Sequence, residues 1–204
     1  MSKKYNVIVV DDHTERAESA LADVAKRVNE KAGYQIEPTI IPFEGAAKRL
    51  LETNADIVLV NVTSEPRSNP GMNVLNEYRR ENKRTKVILY VYQYGQAFPL
   101  EFAFIPDDWQ NFINVLDVSA ITDINDTASL ARFIIKAIED IDAVMISLED
   151  LILNYGEDGY FEIGEKQYSP QQLLRELRMG TPAGDAFRRE VLQNTIAYFM
   201  KFGD

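Results

Sequence analysis

Over the first 140 positions, short runs of apolar residues alternate with segments whose apolar positions recur every three or four residues. YNVIVV (5–10) is a β-branched run that predicts a strand. Ala17, Ala20, Leu21, Val24, Ala25 and Val28 follow at helical spacing, with Gly33 expected to end that helix. IEPTIIPF (36–43) predicts a second strand, and its prolines place it at a sheet edge. A short helix over 44–53 leads to a strand at DIVLVNV (56–62). A helix at MNVLNEYRR and a strand at KVILYVY (86–92) come next. The pattern then loosens into the aromatic-rich QAFPLEFAFIPDDWQNF, before a strand in NVLDVSAIT (114–122) and one long helix running through DTASLARFIIKAIEDIDAVMISLEDLI. Asn125 or Asp126 is placed to cap that helix.

Strands that are apolar along their whole length, separated by helices, predict a parallel sheet covered on both faces. The expectation is a three-layer, doubly wound α/β domain with a five-stranded parallel sheet over residues 1–145. The remainder, 146–204, reads as a small, mostly helical module with a short hairpin. GYFEIGEKQYS supplies the hairpin, with Gly164-Glu165 as a two-residue turn. SPQQLLRELR opens a helix with Ser169 as N-cap, Pro170 at the first position and Gln172 at capping-box spacing. After the break MGTPAG, a last helix spans DAFRREVLQNTIAYFMKF.

Composition narrows the function classes. The 204-residue chain has a net charge of −10. Residues 1–145 hold 16 basic and 22 acidic side chains, and 146–204 hold 6 and 10, so neither part has the basic excess that phosphate contacts need. Arg79, Arg80, Lys83, Arg84 and Lys86 cluster, but the end of a solvated helix explains them. Nucleic acid is therefore an unfavoured partner. The absence of cysteine excludes disulfides and thiol chemistry and fits a cytoplasmic protein. No run approaches the ~18 apolar residues of a membrane-spanning helix. His13, the only histidine, anchors no transition-metal set, and no glycine-rich phosphate loop is present.

In doubly wound sheets the functional crevice lies beyond the C-terminal ends of the strands. Asp11, Asp12 and Asn61 fall at such ends. Here residues 5–140 resemble the receiver domain of bacterial response regulators, a flavodoxin-like fold. VIVVDD, DIVLVNV, Gly71 opening a helix, KVILYVY and AITDINDTASLARFI carry the likeness. The resemblance implies an acid pair that holds Mg²⁺, a phosphoacceptor Asp, a Ser or Thr and a Lys. The acid pair is kept as Asp11 and Asp12, with the capacity to bind Mg²⁺ weakly. The phosphoacceptor position matches Asn61, whose amide cannot form an acyl phosphate. The hydroxyl position matches Val91, or Tyr90 one residue earlier; the Lys position matches Asp123, and the aromatic switch position matches Ala120.

Together these departures imply a degenerate receiver that acts without phosphorylation and without catalysis. It would act by binding a signalling protein, or a second copy of itself as a homodimer. An insertion after the fourth strand carries Phe98, Phe102, Phe104, Trp109 and Phe112, residue types favoured as interface anchors, although extra core under a long loop explains them as well. Three rivals remain: a regulator phosphorylated at Asp11, Asp12 or Asp123, a regulator with a cryptic DNA-binding output domain, and a metal-dependent hydrolase, disfavoured because Asn61 removes its nucleophile.

Overall fold

The computed structural model describes residues 3–30, 34–62, 69–92, 116–141, 143–154 and 159–202. They divide into two compact units, one of residues 1–80 and 85–141, the other of 81–84 and 142–204.

In the first unit, β1 (Lys3–Val10), β2 (Tyr34–Ile41), β3 (Ile57–Asn61), β4 (Lys86–Val91) and β5 (Val118–Asp123) form one parallel sheet in the order β2-β1-β3-β4-β5. This order is that of the flavodoxin-like receiver fold, with its crevice where the order reverses about β1. The helices are α1 (Thr14–Asn29), α2 (Ala46–Glu52), α3 (Pro70–Arg79) and α4 (Thr127–Glu139). Strand alternation sorts the apolar side chains into two layers. Val7, Val9, Ile57, Leu59 and Ile88 pack with Leu21, Val24, Leu130 and Ile134 of α1 and α4. Ile8, Val10, Val58, Val60, Val87 and Leu89 pack with Leu50, Val74 and Leu75 of α2 and α3. β3 is buried on both faces along its whole length, as its apolar run requires.

The breakers and caps act as their chemistry dictates. Pro38 sits in the edge strand β2, where a missing N–H costs least. Asp126, rather than Asn125, caps α4, its carboxylate accepting from the Ser129 amide at 3.0 Å. Gly71 is required by contact. A Cβ there would lie 1.9 Å from the Asn61 carbonyl oxygen, so the first turn of α3 rests directly on the end of β3. Arg79 does not join a solvated basic patch. It is buried, and its guanidinium donates to the carbonyls of Leu116 at 2.6 Å and Asp117 at 2.9 Å, holding the entry to β5.

The single long helix expected from Asp126 onward is two. α4 ends at Glu139, and α5 begins at Ala143. No glycine or proline marks the break. The apolar stripe of α4 packs against the sheet, whereas Leu148 and Ile152 of α5 belong to a separate core.

The second unit contains α5 (Ala143–Leu153), the hairpin β6 (Phe161–Ile163) and β7 (Lys166–Tyr168), α6 (Pro170–Met179) and α7 (Pro182–Phe202). Leu148, Ile152, Leu173, Leu177 and Phe187 form its core. The Ser169–Gln172 capping box is complete in both directions. The break before α7 is narrower than MGTPAG. Gly180 turns the chain in the left-handed region, and Pro182 already opens the next helix. Arg178 is buried and donates twice to Glu149 at 3.2 Å.

Candidate functional site

Asp11 is the first residue past β1 and is fully buried. Its Oδ1 accepts from the His13 backbone N–H at 2.8 Å and from Nδ2 of Asn61 at 3.0 Å. Its Oδ2 accepts from the hydroxyls of Tyr90 and Tyr92, both at 2.6 Å. An ionised carboxylate has about four lone-pair sites, so four donors saturate it.

Strand geometry explains why these side chains meet. Asn61 ends β3 and stands in register with Tyr90 of β4. Successive side chains on a strand alternate faces, so Tyr92, two residues on, shares the face of Tyr90. The two rings meet edge to face, with centroids 5.9 Å apart. His13 packs edge-on against Tyr92 at 6.0 Å, and the Arg16 guanidinium of α1 lies 4.4 Å over the Tyr92 ring. Burial, reinforced by the charge of Asp11 and the hydrogen bond to it, pushes the Tyr90 hydroxyl far above the ordinary tyrosine range. The same causes raise Tyr92, with Arg16 partly offsetting them. Both hydroxyls therefore keep their protons at physiological pH and act as donors.

The other expected residues fall elsewhere. Val91 does not join Asp11; it packs on the opposite face of the sheet, among the residues covered by α2 and α3. Asp12 is exposed, and its Oδ1 accepts from the Phe43 amide at 3.0 Å. Asp123 pairs with Val91 in the sheet, but its Oδ1 accepts from the backbone and side-chain nitrogens of Asn125 at 2.8 and 2.9 Å, within its own turn. Ala120 is partly buried beside the α1–α4 layer. Phe98, Phe102, Phe104, Trp109 and Phe112 lie outside the described residues. So does Gly33, while α1 already ends at Asn29.

Tyr92 was not anticipated. The signal for it is the Y-x-Y spacing at the end of an apolar strand, which puts two hydroxyls on one face at a crevice.

A receiver-type Mg²⁺ would need lone pairs from the first-strand acids, further oxygens and room for water. The donor set does not fit it. Both oxygens of Asp11 are already hydrogen-bonded, and Asn61 turns a nitrogen donor toward it. Asn61 Oδ1 is buried and has no hydrogen-bond partner among the described residues. Among the described residues, no group of three His, Cys, Asp or Glu side chains is arranged to hold a metal ion.

No protein-family model and no curated protein matches the chain. Solved structures with a similar course exist. A CheY-like response regulator receiver domain from Methanospirillum hungatei JF-1 is 16% identical, with 69% of this chain and 96% of that one covered and a TM-score of 0.46. A LuxR-family two-component response regulator from Aurantimonas sp. SI85-9A1 is 19% identical over 68% and 85%, at 0.45. The signal receiver domain of a modulated diguanylate cyclase from Desulfovibrio desulfuricans G20 is 16% identical over 72% and 99%, at 0.46. At these values the likenesses add nothing to what the strand order already defines: a flavodoxin-like, receiver-type α/β unit. Among the described residues no helix is long and apolar enough to cross a membrane.

Proposed function

We propose that the chain is a non-enzymatic signalling adaptor: a receiver-like unit that has lost phosphoryl chemistry and works by binding another protein or a second copy of itself. The observation that carries this reading is Asn61 at the end of β3, one of four donors hydrogen-bonded to Asp11. A phosphoacceptor must offer a carboxylate oxygen as nucleophile, and an amide does not. Asp123 adds to the reading, since it puts an acid where a phosphate-binding lysine would be needed. The acidic net charge of −10 opposes a nucleic-acid partner. The aromatic insertion at 98–112 and the helical second unit are the segments proposed to meet the partner.

Incubating the full chain with a small-molecule phosphoryl donor and Mg²⁺, followed by intact mass measurement, tests the proposal. The expected result is an unchanged mass. A stable phosphoryl adduct mapped to Asp11, Asp12 or Asp123 would replace this reading with that of a regulator switched at an unorthodox residue.

A further inference from the structure

Asp11 is a buried carboxylate next to a second acid, at the point of the fold where the resemblance implies a bound divalent cation. A buried charge needs compensation. Here the compensation is internal. The Tyr90 and Tyr92 hydroxyls, each 2.6 Å from Oδ2, come from β4 and the residue just past it, and the Asn61 amide comes from β3. Together with Asp11 they tie the ends of three adjacent strands, β1, β3 and β4, through one carboxylate.

We infer that the Tyr90–Tyr92 hydroxyl pair is a built-in substitute for the divalent cation, holding the strand-end pocket in one arrangement with no metal. This deepens the proposed function, since it gives a physical reason for the pocket to be constitutive, and it rests on that reading. Three features support it. Hydrogen bonds of a neutral donor to an ionised acceptor are short and strong, as these two are. The tyrosines are stacked edge to face, and Arg16 covers the outer ring, so the hydroxyls are pre-positioned. Asn61 completes the set by offering a donor where an aspartate would offer a second cation ligand.

Thermal melts of the full chain with and without millimolar Mg²⁺ or Mn²⁺, at matched ionic strength, test the inference. The wild-type midpoint is expected not to move. The Tyr90→Phe/Tyr92→Phe chain leaves Asp11 with two donors and a freed oxygen. It is expected to melt lower and to regain about 3–5 °C, saturably, with the cation, since a ligand bound only by the native state raises the midpoint. Adding Asp11→Asn should abolish that rescue. If the double variant does not fold, Tyr92→Phe alone, which removes one of the two donors to Oδ2 and keeps that of Tyr90, is expected to show the same rescue at reduced amplitude. A saturable cation shift in the wild type, or no rescue in whichever tyrosine variant folds, would overturn the inference. Because no phosphoryl donor is present, neither result bears on the mass measurement. An adduct there on Asp12 or Asp123 would sink the adaptor reading while leaving the metal-free pocket intact, whereas one on Asp11 would overturn both.

Discussion

Replacing Asn61 with an aspartate supplies the side chain that phosphoryl chemistry would need, and the structure predicts that it damages the fold. The amide donates to Asp11 Oδ1 at 3.0 Å in a pocket where both residues are buried. Losing a hydrogen bond to a charged acceptor costs about 1.5–3 kcal/mol. The new carboxyl then stands within hydrogen-bond reach of a like charge, and burial together with that charge raises its pKa. A rise of about two units costs a further ~3 kcal/mol at neutral pH. The expected loss at pH 7 is therefore about 4–6 kcal/mol. Its sign with pH follows from the raised value. The stabilising, protonated form is fully populated below the ordinary aspartate pKa of about 3.9 and is lost as pH rises through the folded-state value. Once protonated, the introduced carboxyl also regains a donor toward Asp11, so much of the loss should vanish by about pH 5.

Amide hydrogen exchange at Val9, Leu59 and Ile88 reads the opening of the central strands without interference from the second unit. Asn61→Leu, which removes the donor but adds no charge, should cost less and show no such pH dependence. An Asn61→Asp variant within about 0.5 kcal/mol of wild type at pH 7, or one equally weakened at pH 5 and pH 7, would refute the argument.

Other perturbations should behave as follows. Gly71→Ala forces a Cβ toward the Asn61 carbonyl oxygen, 1.9 Å away without movement, and should cost about 2–3 kcal/mol of exchange protection in β3. Asp126→Ala removes the cap on α4 and should cost about 1 kcal/mol in the same assay. Hydrogen bonds from Ser129 hold the Asp126 carboxyl below its ordinary value of 3.8, so that contribution is present above 3.8 and fades as pH falls further. Arg178→Met strands Glu149 in the second unit and should cost about 3–5 kcal/mol, read by exchange at Leu173 and Leu177. Burial holds Glu149 above its ordinary 4.5 despite Arg178, so wild type should gain stability in that unit as pH falls toward 4.5. Glu149→Gln should lose this gain.

The fold was legible because a parallel sheet buries both faces of its inner strands, so β3, β4 and residues 7–10 of β1 are apolar at nearly every position. Pro38, Asp126 and the Ser169–Gln172 box were legible because each acts within a few residues of itself. The break between α4 and α5 was not, since no glycine or proline marks it and it shows only in the separate cores the two helices join. The same holds for Arg79, whose basic-patch appearance dissolves once Leu116 and Asp117 lie beside it. Asp11 and Asn61 were visible as strand-end polar residues, but their bond to each other needs the register of β1 against β3. Tyr92 needed one step more, the pairing of Asn61 with Tyr90, which also sends Val91 to the opposite face.

On the proposed reading this pocket does not answer to a phosphoryl group. An amide NMR titration of the full chain with Mg²⁺, followed by beryllium fluoride as a phosphoryl mimic, tests it most directly. No saturable shift is expected at Asp11, Asp12, Asn61, residues 90–92 or residues 116–125. Saturable shifts that begin at Asn61 and spread through residues 90–125 would show a working switch and contradict it.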